Sequence, residues 1–182
     1  MTDFKAIYEL LDTVNPLKTD CGLQCNAACC RQDASEEEMG IYLLPGEASI
    51  HDKSNPWLTW SEEDPEESGF PESWTEPVDF VCCHGPETCN RKMRPIQCRT
   101  YPLTPHLTED GKLYMLINDM ELPYECPLVK NFDRIEPEFI EVSLKAWKEL
   151  IKDKRVYDLV YEDSRIRDEE SDFYYVNITD GE

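Results

Sequence analysis

The sequence predicts a small, irregular α+β domain with two main amphipathic helices, short strands and long loops. Three observations predict this fold class: two stretches with helical apolar spacing, several short apolar runs closed by turn residues, and 13 prolines among 182 residues. A chain of this length is typical of one domain. We place that domain at residues 1–161 and assign the mostly charged residues 162–182 to an acidic C-terminal tail.

The first predicted helix covers residues 3–14, where apolar side chains recur every three or four positions. Thr2 or Asp3 is available as its N-cap, and an Asn-Pro pair ends it. The second helix begins at Pro137 and runs to about Lys154, with acids in its first turn and lysines in its last. The apolar stripes are Phe4, Ile7, Tyr8, Leu11 and Val14 in the first helix, and Ile140, Leu144, Trp147 and Ile151 in the second.

Short strands are predicted on both sides of an acidic stretch. Residues 40–46 form an apolar run that a Pro-Gly turn closes, and residues 103–118 form a hairpin around Asp110-Gly111. Between them, residues 54–90 hold nine acids, five prolines and three tryptophans, with no Lys or Arg. We interpret residues 54–81 as an irregular, solvated loop that its tryptophans attach to the body of the domain.

The formal charge of −21 limits the functions that the chain can have. Such an acidic surface repels phosphates, which argues against nucleic-acid binding and against docking on anionic lipid. No run of about 18 apolar residues is present, and the N-terminus lacks the basic start and apolar core of a signal peptide. We therefore expect a cytoplasmic protein without a membrane or nucleic-acid partner. An acidic docking loop for a basic protein partner is the alternative to a merely solvating loop at residues 54–90.

Cysteine is the most informative residue type, because the chain has nine and most are clustered. Cytosolic thiols are kept reduced, so clustered cysteines there indicate metal binding or catalysis rather than disulfides. The odd count also fits a disulfide framework poorly. The sequence thus predicts a single cysteine-cluster domain whose fold depends on metal. The candidate metal ligands are Cys21, Cys25, Cys29, Cys30, Cys82, Cys83, Cys89, Cys98 and Cys126.

The spacing of the cysteines indicates how they can be grouped. On a helix, residues four apart share a face, so Cys21, Cys25 and Cys29 form pairs that can chelate one centre. Adjacent cysteines point in different directions, so the two Cys-Cys pairs indicate two nearby centres, or one ligand and one spare. Four ligands satisfy zinc or a four-iron cluster, and eight would complete two such sites. The spacing itself selects neither metal; the nearly all-cysteine set and the absence of zinc-knuckle spacing favour an iron–sulfur cluster slightly over zinc.

Four bases fall within residues 91–99, beside two of the cysteines. Arg94 and Arg99 are candidates for a second shell that offsets the negative charge of a thiolate site and donates hydrogen bonds to sulfur. The alternative is that these bases pair with the acidic stretch at the surface. His84, next to Cys83, is a candidate mixed ligand, although a loop histidine before Gly-Pro more often has no metal role. No catalytic residue is assigned; an enzyme that uses the centre and a metal-stabilised interaction module are the alternative functions.

The order of these motifs resembles the YkgJ-type family of cysteine-cluster proteins, to which zinc or iron chelation is attributed. The resemblance covers roughly residues 18–130 and is most specific in the segment Arg-Pro-Ile-Gln-Cys-Arg-Thr-Tyr-Pro at 94–102. It implies that the ligands are Cys21, Cys25, Cys29, Cys30, one or both of Cys82 and Cys83, Cys89 and Cys98. Cys126-Pro127 would then be an additional ligand site of a subfamily. A related group includes flagellin lysine N-methylases, so the resemblance also allows a methyl-transfer role.

Overall fold

The computed structural model describes residues 2–31, 40–118, 120 and 122–169 of the chain. Within these residues the fold is α+β, with six α-helices and five short strands. The helices are α1 (Phe4–Leu11), α2 (Gly22–Cys25), α3 (Ile96–Thr100), α4 (Pro127–Lys130), α5 (Pro137–Leu150) and α6 (Lys154–Glu169). The strands are β1 (Gly40–Tyr42), β2 (Leu58–Glu63), β3 (Val78–Cys83), β4 (Leu103–Leu107) and β5 (Leu113–Ile117).

The predicted N-terminal helix is confirmed as α1. The Asp3 carboxylate accepts a hydrogen bond from the backbone N–H of Ala6 at 3.0 Å, which makes Asp3 the N-cap. The side chains of Phe4, Ile7, Tyr8 and Leu11 are buried, as the apolar stripe predicts. The helix ends at Leu11, three residues before the predicted limit, and its last turn is closed by the N–H of the following residue.

The predicted second helix is present but shorter, and another helix follows it. Helix α5 ends at Leu150, the chain turns at residues 151–153, and α6 then continues to Glu169. The predicted boundary at residue 161 therefore falls inside α6, which continues the helical structure beyond it. The reason is a narrow stripe of buried side chains one helical turn apart, formed by Val156, Val160 and Ser164. Residues 170–182, which complete the predicted tail, lie outside the described residues.

Two small antiparallel sheets carry the strands. The strand order of the first is β1-β3-β2, and the second is the hairpin of β4 and β5. The hairpin and its turn at Asp110-Gly111 are confirmed, with Gly111 at a φ of +81°. The prediction of an irregular loop over residues 54–81 is wrong at β2 and β3, because Leu58 and Val81 are buried in a small apolar cluster while the acids of β2 lie at more exposed positions.

The two sheets belong to different apolar clusters. The main core packs α1, α5 and α6 around the hairpin, and the second cluster forms on the three-stranded sheet. Trp74 connects the acidic segment to the body, since its indole N–H donates to the backbone oxygen of Arg155 at 2.8 Å. None of the helices in the described ranges has the length and apolar character that crossing a bilayer requires. Cys21 and Cys126 pack against the main core, and Cys83 and Cys89 pack against the second cluster.

Candidate metal centre

The first cysteine segment does not form one continuous helix. Helix α2 ends at Cys25, and the next two residues, Asn26 and Ala27, both have a left-handed φ of 54°. A 3-10 turn, Ala28–Cys30, follows. Cys21 and Cys25 therefore flank one helical turn as predicted, whereas the prediction that Cys25 and Cys29 share a helical face is wrong. The left-handed residues redirect the chain, which a helical reading of the spacing could not anticipate.

Four of the cysteines line a small cavity, and we call them the Cys126 group. The cavity has a volume of about 30 Å³, which is enough for an ion or one or two water molecules. Tyr101, Tyr124 and the aliphatic Pro102 complete part of its wall. Burial and the charges of Tyr124 and Cys126 raise the pKa of Tyr101, so both rings and the thiol are close neighbours. The members of the Cys126 group are Cys21, Cys25, Cys29 and Cys126.

Cys98 lies on α3, and we call it and the three cysteines that act on it electrostatically the Cys98 group. Its members are Cys30, Cys83, Cys89 and Cys98. Burial raises the pKa of the Cys98 thiol, and the charges of the other three members raise it further. The pKa of Cys83 is raised by burial and by the charges of Cys30 and Cys89. The four thiols thus lie within electrostatic reach of one another, although they come from three separate chain segments.

Arg94 lies among the thiols of the Cys98 group. Its Nε donates a hydrogen bond to the Cys89 sulfur at 3.1 Å. The charges of Cys89, Cys30 and Cys98 contribute to a raised pKa of Arg94, which opposes the effect of its burial. A cation in this position offsets the repulsion that closely spaced thiolates experience. Arg94 thus contacts a candidate ligand, and its second-shell role stays a prediction.

The two groups touch at the adjacent residues Cys29 and Cys30. Their sulfur atoms are 3.9 Å apart. The hydrogen bond between the two thiols lowers the pKa of Cys30 to about 6, and the charges of Arg94 and Arg91 add to this effect against burial. Arg91 also forms an ion pair of 2.6 Å with Asp20, which fastens the first cysteine segment to the segment that carries Cys89.

Cys82 lies on the opposite face of β3 from Cys83. Neighbouring residues of a strand point to opposite sides, and Cys82 is opposite Gly40 and Thr59 in the sheet register. Cys83 packs against the second apolar cluster together with Cys89, whereas Cys82 is buried, 7% exposed, away from that cluster. The resemblance leaves open whether one or both of these cysteines are ligands; the strand geometry separates them.

The two remaining candidates from the sequence are Arg99 and His84. The Arg99 side chain, 4% exposed, forms an ion pair of 2.6 Å with Asp12 and stacks on the Tyr8 ring at 4.1 Å. It also donates to the backbone oxygens of Arg94 and Lys92. These contacts hold α1 against the 92–99 segment, and the second-shell role of Arg99 stays a prediction. His84 is exposed, and its Nε2 lies 2.8 Å from the Thr59 hydroxyl oxygen.

The sequence reasoning missed two residues near the site. Tyr124 lines the cavity of the Cys126 group, and burial and the charges of Cys29, Cys98 and Cys126 contribute to raising its pKa to about 12. No motif in the sequence marks it. Glu47 is 1% exposed and accepts the backbone N–H of Ile96, at the start of α3, at 2.7 Å. In the sequence, the preceding Pro-Gly turn indicates that the chain reverses direction next to Glu47.

The thiols are neighbours rather than a closed ligand sphere. In the ranges that the structure describes, no three His, Cys, Asp or Glu side chains are close enough together to hold a metal ion. The donor chemistry nevertheless fits thiophilic metals, because the Cys126 and Cys98 groups consist of thiols alone and Arg94 supplies a compensating cation. Comparisons with family models, with curated proteins and with solved structures find no match. The resemblance to the cysteine-cluster family stays a prediction.

Proposed function

We propose that the chain is a metal-binding protein that holds an iron–sulfur cluster or zinc through clustered cysteine thiolates. One observation supports this most strongly: four cysteines from two distant parts of the chain line one cavity beside Tyr101 and Tyr124, and Cys30, Cys83 and Cys89 lie within electrostatic reach of Cys98. The all-sulfur donor set is the one that both centres use. As in the sequence analysis, an iron–sulfur cluster is slightly preferred over zinc.

Electrostatics explains why a cation is needed to complete such an arrangement. Each thiolate raises the pKa of its neighbours, as the shifts at Cys98 and Cys83 illustrate. A bound metal would remove this repulsion and, because thiolates are its ligands, would bind more tightly as the pH rises. It would also connect α2, β3 and α3, which carry or adjoin these cysteines, and so contribute directly to the free energy of folding, on the order of 10 kcal/mol for a structural zinc site.

The protein's own residues have defined tasks in this proposal. Cysteine sulfurs act as ligands, and the Arg94 guanidinium donates to the Cys89 sulfur and lowers the negative charge of the site. Tyr101 and Tyr124 cover the cavity of the Cys126 group and limit the access of water. Arg99 connects its own segment to α1 through the Asp12 ion pair, and Glu47 accepts a hydrogen bond from the start of α3. Both residues thereby hold the segment that carries Cys98 in place.

Elemental analysis of untagged protein purified without oxygen tests the proposal. We expect stoichiometric iron with visible charge-transfer absorption, or stoichiometric zinc in a colourless protein, and we expect a chelator to lower the unfolding temperature. The control variant Cys82→Ser should retain the metal. That result would show that the metal is not bound adventitiously by any available thiol. Fully folded protein with reactive thiols and with neither metal would refute the proposal.

A second candidate function is a metal-stabilised module that binds a basic partner. The observation that favours it is the position of β2 at the edge of its sheet, with acidic residues at 62 and 63 and further acids at 64, 66 and 67. The alternative role of these acids is to prevent edge-to-edge aggregation of the sheet. Salt-sensitive capture of a basic peptide, weakened when Glu62 and Glu63 are both changed to Gln, would support this function; salt-independent behaviour would contradict it.

A further inference from the structure

We propose that Cys29 and Cys30 form a reversible redox modification site, at which a peroxide oxidises the two adjacent thiols to a disulfide. The sulfur atoms of the pair lie 3.9 Å apart, and one thiol donates a hydrogen bond to the other. Cys29 is exposed and Cys30 is half-buried, so a small oxidant in the solvent can reach the pair. The inference goes beyond the proposed metal function and does not depend on it, because a disulfide needs two thiols and no ion.

A short turn brings the two sulfurs together. Ala27 has a left-handed φ of 54°, and the 3-10 turn Ala28–Cys30 follows it. The N–H of Cys30 donates to the backbone oxygen of Ala27 at 2.8 Å, and the next N–H, of Arg31, donates to the oxygen at the start of the turn at 3.2 Å. The Nε of Arg31 also donates to the backbone oxygen of Asn26 at 2.8 Å. Local interactions therefore hold the two thiols close to each other.

The chain contains a second pair of adjacent cysteines, and its geometry is unlike that of the first. Cys82 and Cys83 lie on the extended strand β3, where neighbouring side chains point to opposite faces of the sheet. This strand is paired on both of its edges, with β1 and with β2. A disulfide between these two residues would require the central strand to leave its sheet. The two Cys-Cys pairs are alike in sequence, and the fold favours disulfide formation at Cys29 and Cys30.

The oxidation consumes one peroxide molecule and both thiol protons. One of the two sulfurs attacks a peroxide oxygen and becomes a sulfenic acid, while the O–O bond breaks and one water molecule leaves. The other sulfur then attacks the sulfenic sulfur, so the S–S bond forms, the S–O bond breaks and the oxygen leaves as a second water molecule. The pair thereby gives up two electrons, and these reduce the peroxide to water.

The resulting disulfide is strained, which makes the modification reversible. Cys29 and Cys30 are joined by a trans peptide bond, across which Cα atoms are about 3.8 Å apart. The Cα atoms of disulfide-linked residues are usually about 4.4–6.8 Å apart, and a strained, exposed disulfide is reduced more easily than a structural one. Two molecules of a small thiol such as glutathione therefore restore the pair and leave as one glutathione disulfide. While oxidised, the pair offers no thiolate to a metal.

Differential thiol labelling of the full-length protein tests the assignment without a mutation. Reduced protein, as purified and after treatment with a chelator, is exposed to equimolar hydrogen peroxide. Free thiols are blocked with N-ethylmaleimide, and disulfide thiols are then reduced and labelled with iodoacetamide. Trypsin cleaves after Lys18 and Arg31, so fragment spectra of peptide 19–31 resolve its four cysteines.

We expect the iodoacetamide label at Cys29 and Cys30, and we expect dithiothreitol added before the blocking step to abolish it. Labelling of Cys82 and Cys83 should stay at the level of protein that received no peroxide. Absence of the Cys29–Cys30 disulfide from both samples, or a label spread evenly over the nine cysteines, would overturn the inference. Either result leaves the proposed metal function intact, because metal content is measured separately.

Matched Cys→Ser variants provide the second readout. In Cys29→Ser and in Cys30→Ser the remaining thiol has no adjacent partner, so we expect its sulfenic acid to persist and to be trapped by dimedone. The control Cys82→Ser breaks the other adjacent pair and should form the Cys29–Cys30 disulfide to the same extent as the unmodified protein. Full disulfide formation in Cys29→Ser, through another cysteine, would overturn the assignment of the pair. Should a variant unfold, the labelling of the unmodified protein still decides.

Discussion

Replacing Glu47 with Ala should destabilise the protein strongly, because this buried carboxylate supports three hydrogen bonds. Its oxygens accept the backbone N–H groups of Leu44 at 2.9 Å and of Ile96 at 2.7 Å, and the Tyr8 hydroxyl at 2.6 Å. The side chain connects α1, the turn after β1 and the start of α3, which carries Cys98. Loss of these contacts should therefore loosen the scaffold of the candidate site.

The expected loss of stability follows from the hydrogen-bond partners that lose the Glu47 carboxylate. The Tyr8 hydroxyl keeps an alternative, since the His51 Nε2 lies 3.1 Å away. The two backbone N–H groups lose their acceptor, and each buried unsatisfied group costs about 1–3 kcal/mol. We expect Glu47→Ala to lower the free energy of unfolding by about 2–6 kcal/mol, a large part of the roughly 5–15 kcal/mol that is typical of domains.

Urea unfolding followed by tryptophan fluorescence measures this loss. With a slope of about 2 kcal/mol per molar urea, the midpoint should fall by about 1–3 M. Glu9→Ala, at an exposed position on α1, is the matched control and should change the free energy of unfolding by less than about 0.5 kcal/mol. The reasoning is refuted if the two variants unfold at the same urea concentration.

Three further predictions concern the scaffold. Burial raises the pKa of Glu47 in the folded protein. Its contribution to the free energy of unfolding is therefore complete below its unfolded-state pKa and declines as the pH rises through its folded-state pKa. The loss of stability in Glu47→Gln should accordingly become smaller with rising pH, and a loss that does not change with pH would contradict this. Gly40→Ala would place a Cβ 2.2 Å from the Phe80 ring and should cost about 1–3 kcal/mol in urea unfolding. Arg99→Leu removes the ion pair with Asp12 and the hydrogen bonds that the charged guanidinium donates to backbone oxygens. It should lower the free energy of unfolding by about 2 kcal/mol or more. An unchanged urea midpoint would show that α1 does not depend on Arg99.

Local patterns predicted the elements that local physics controls. The apolar spacing of Phe4, Ile7 and Leu11 defines α1, and the Asp110-Gly111 pair defines the hairpin, since each depends on neighbours in the chain. The strand at 58–63 was missed because its polar residues, and the prolines that flank it at 56 and 65, obscure the alternation that marks a strand. The far end of α6 was missed because its buried stripe is only one residue wide in each turn.

The candidate site was predictable in composition and not in arrangement. Clustering identified the cysteines, and charge identified Arg94, since both are visible along the chain. The arrangement of the first cysteine segment depends on the left-handed residues Asn26 and Ala27, which turn the chain between Cys25 and Cys29. The position of Cys126 depends on long-range packing against the main core, which no local spacing encodes. Arg99 carries the same charge as Arg94, and only the fold shows that it serves α1.

Metal-edge X-ray absorption of the protein, purified without oxygen, tests the central claim most directly because it reports the atoms bound to the metal. The account predicts a first shell of sulfur at about 2.3 Å, with an additional metal–metal shell if the centre is an iron–sulfur cluster. A first shell of nitrogen or oxygen, or a folded protein with no metal edge above background, would contradict it.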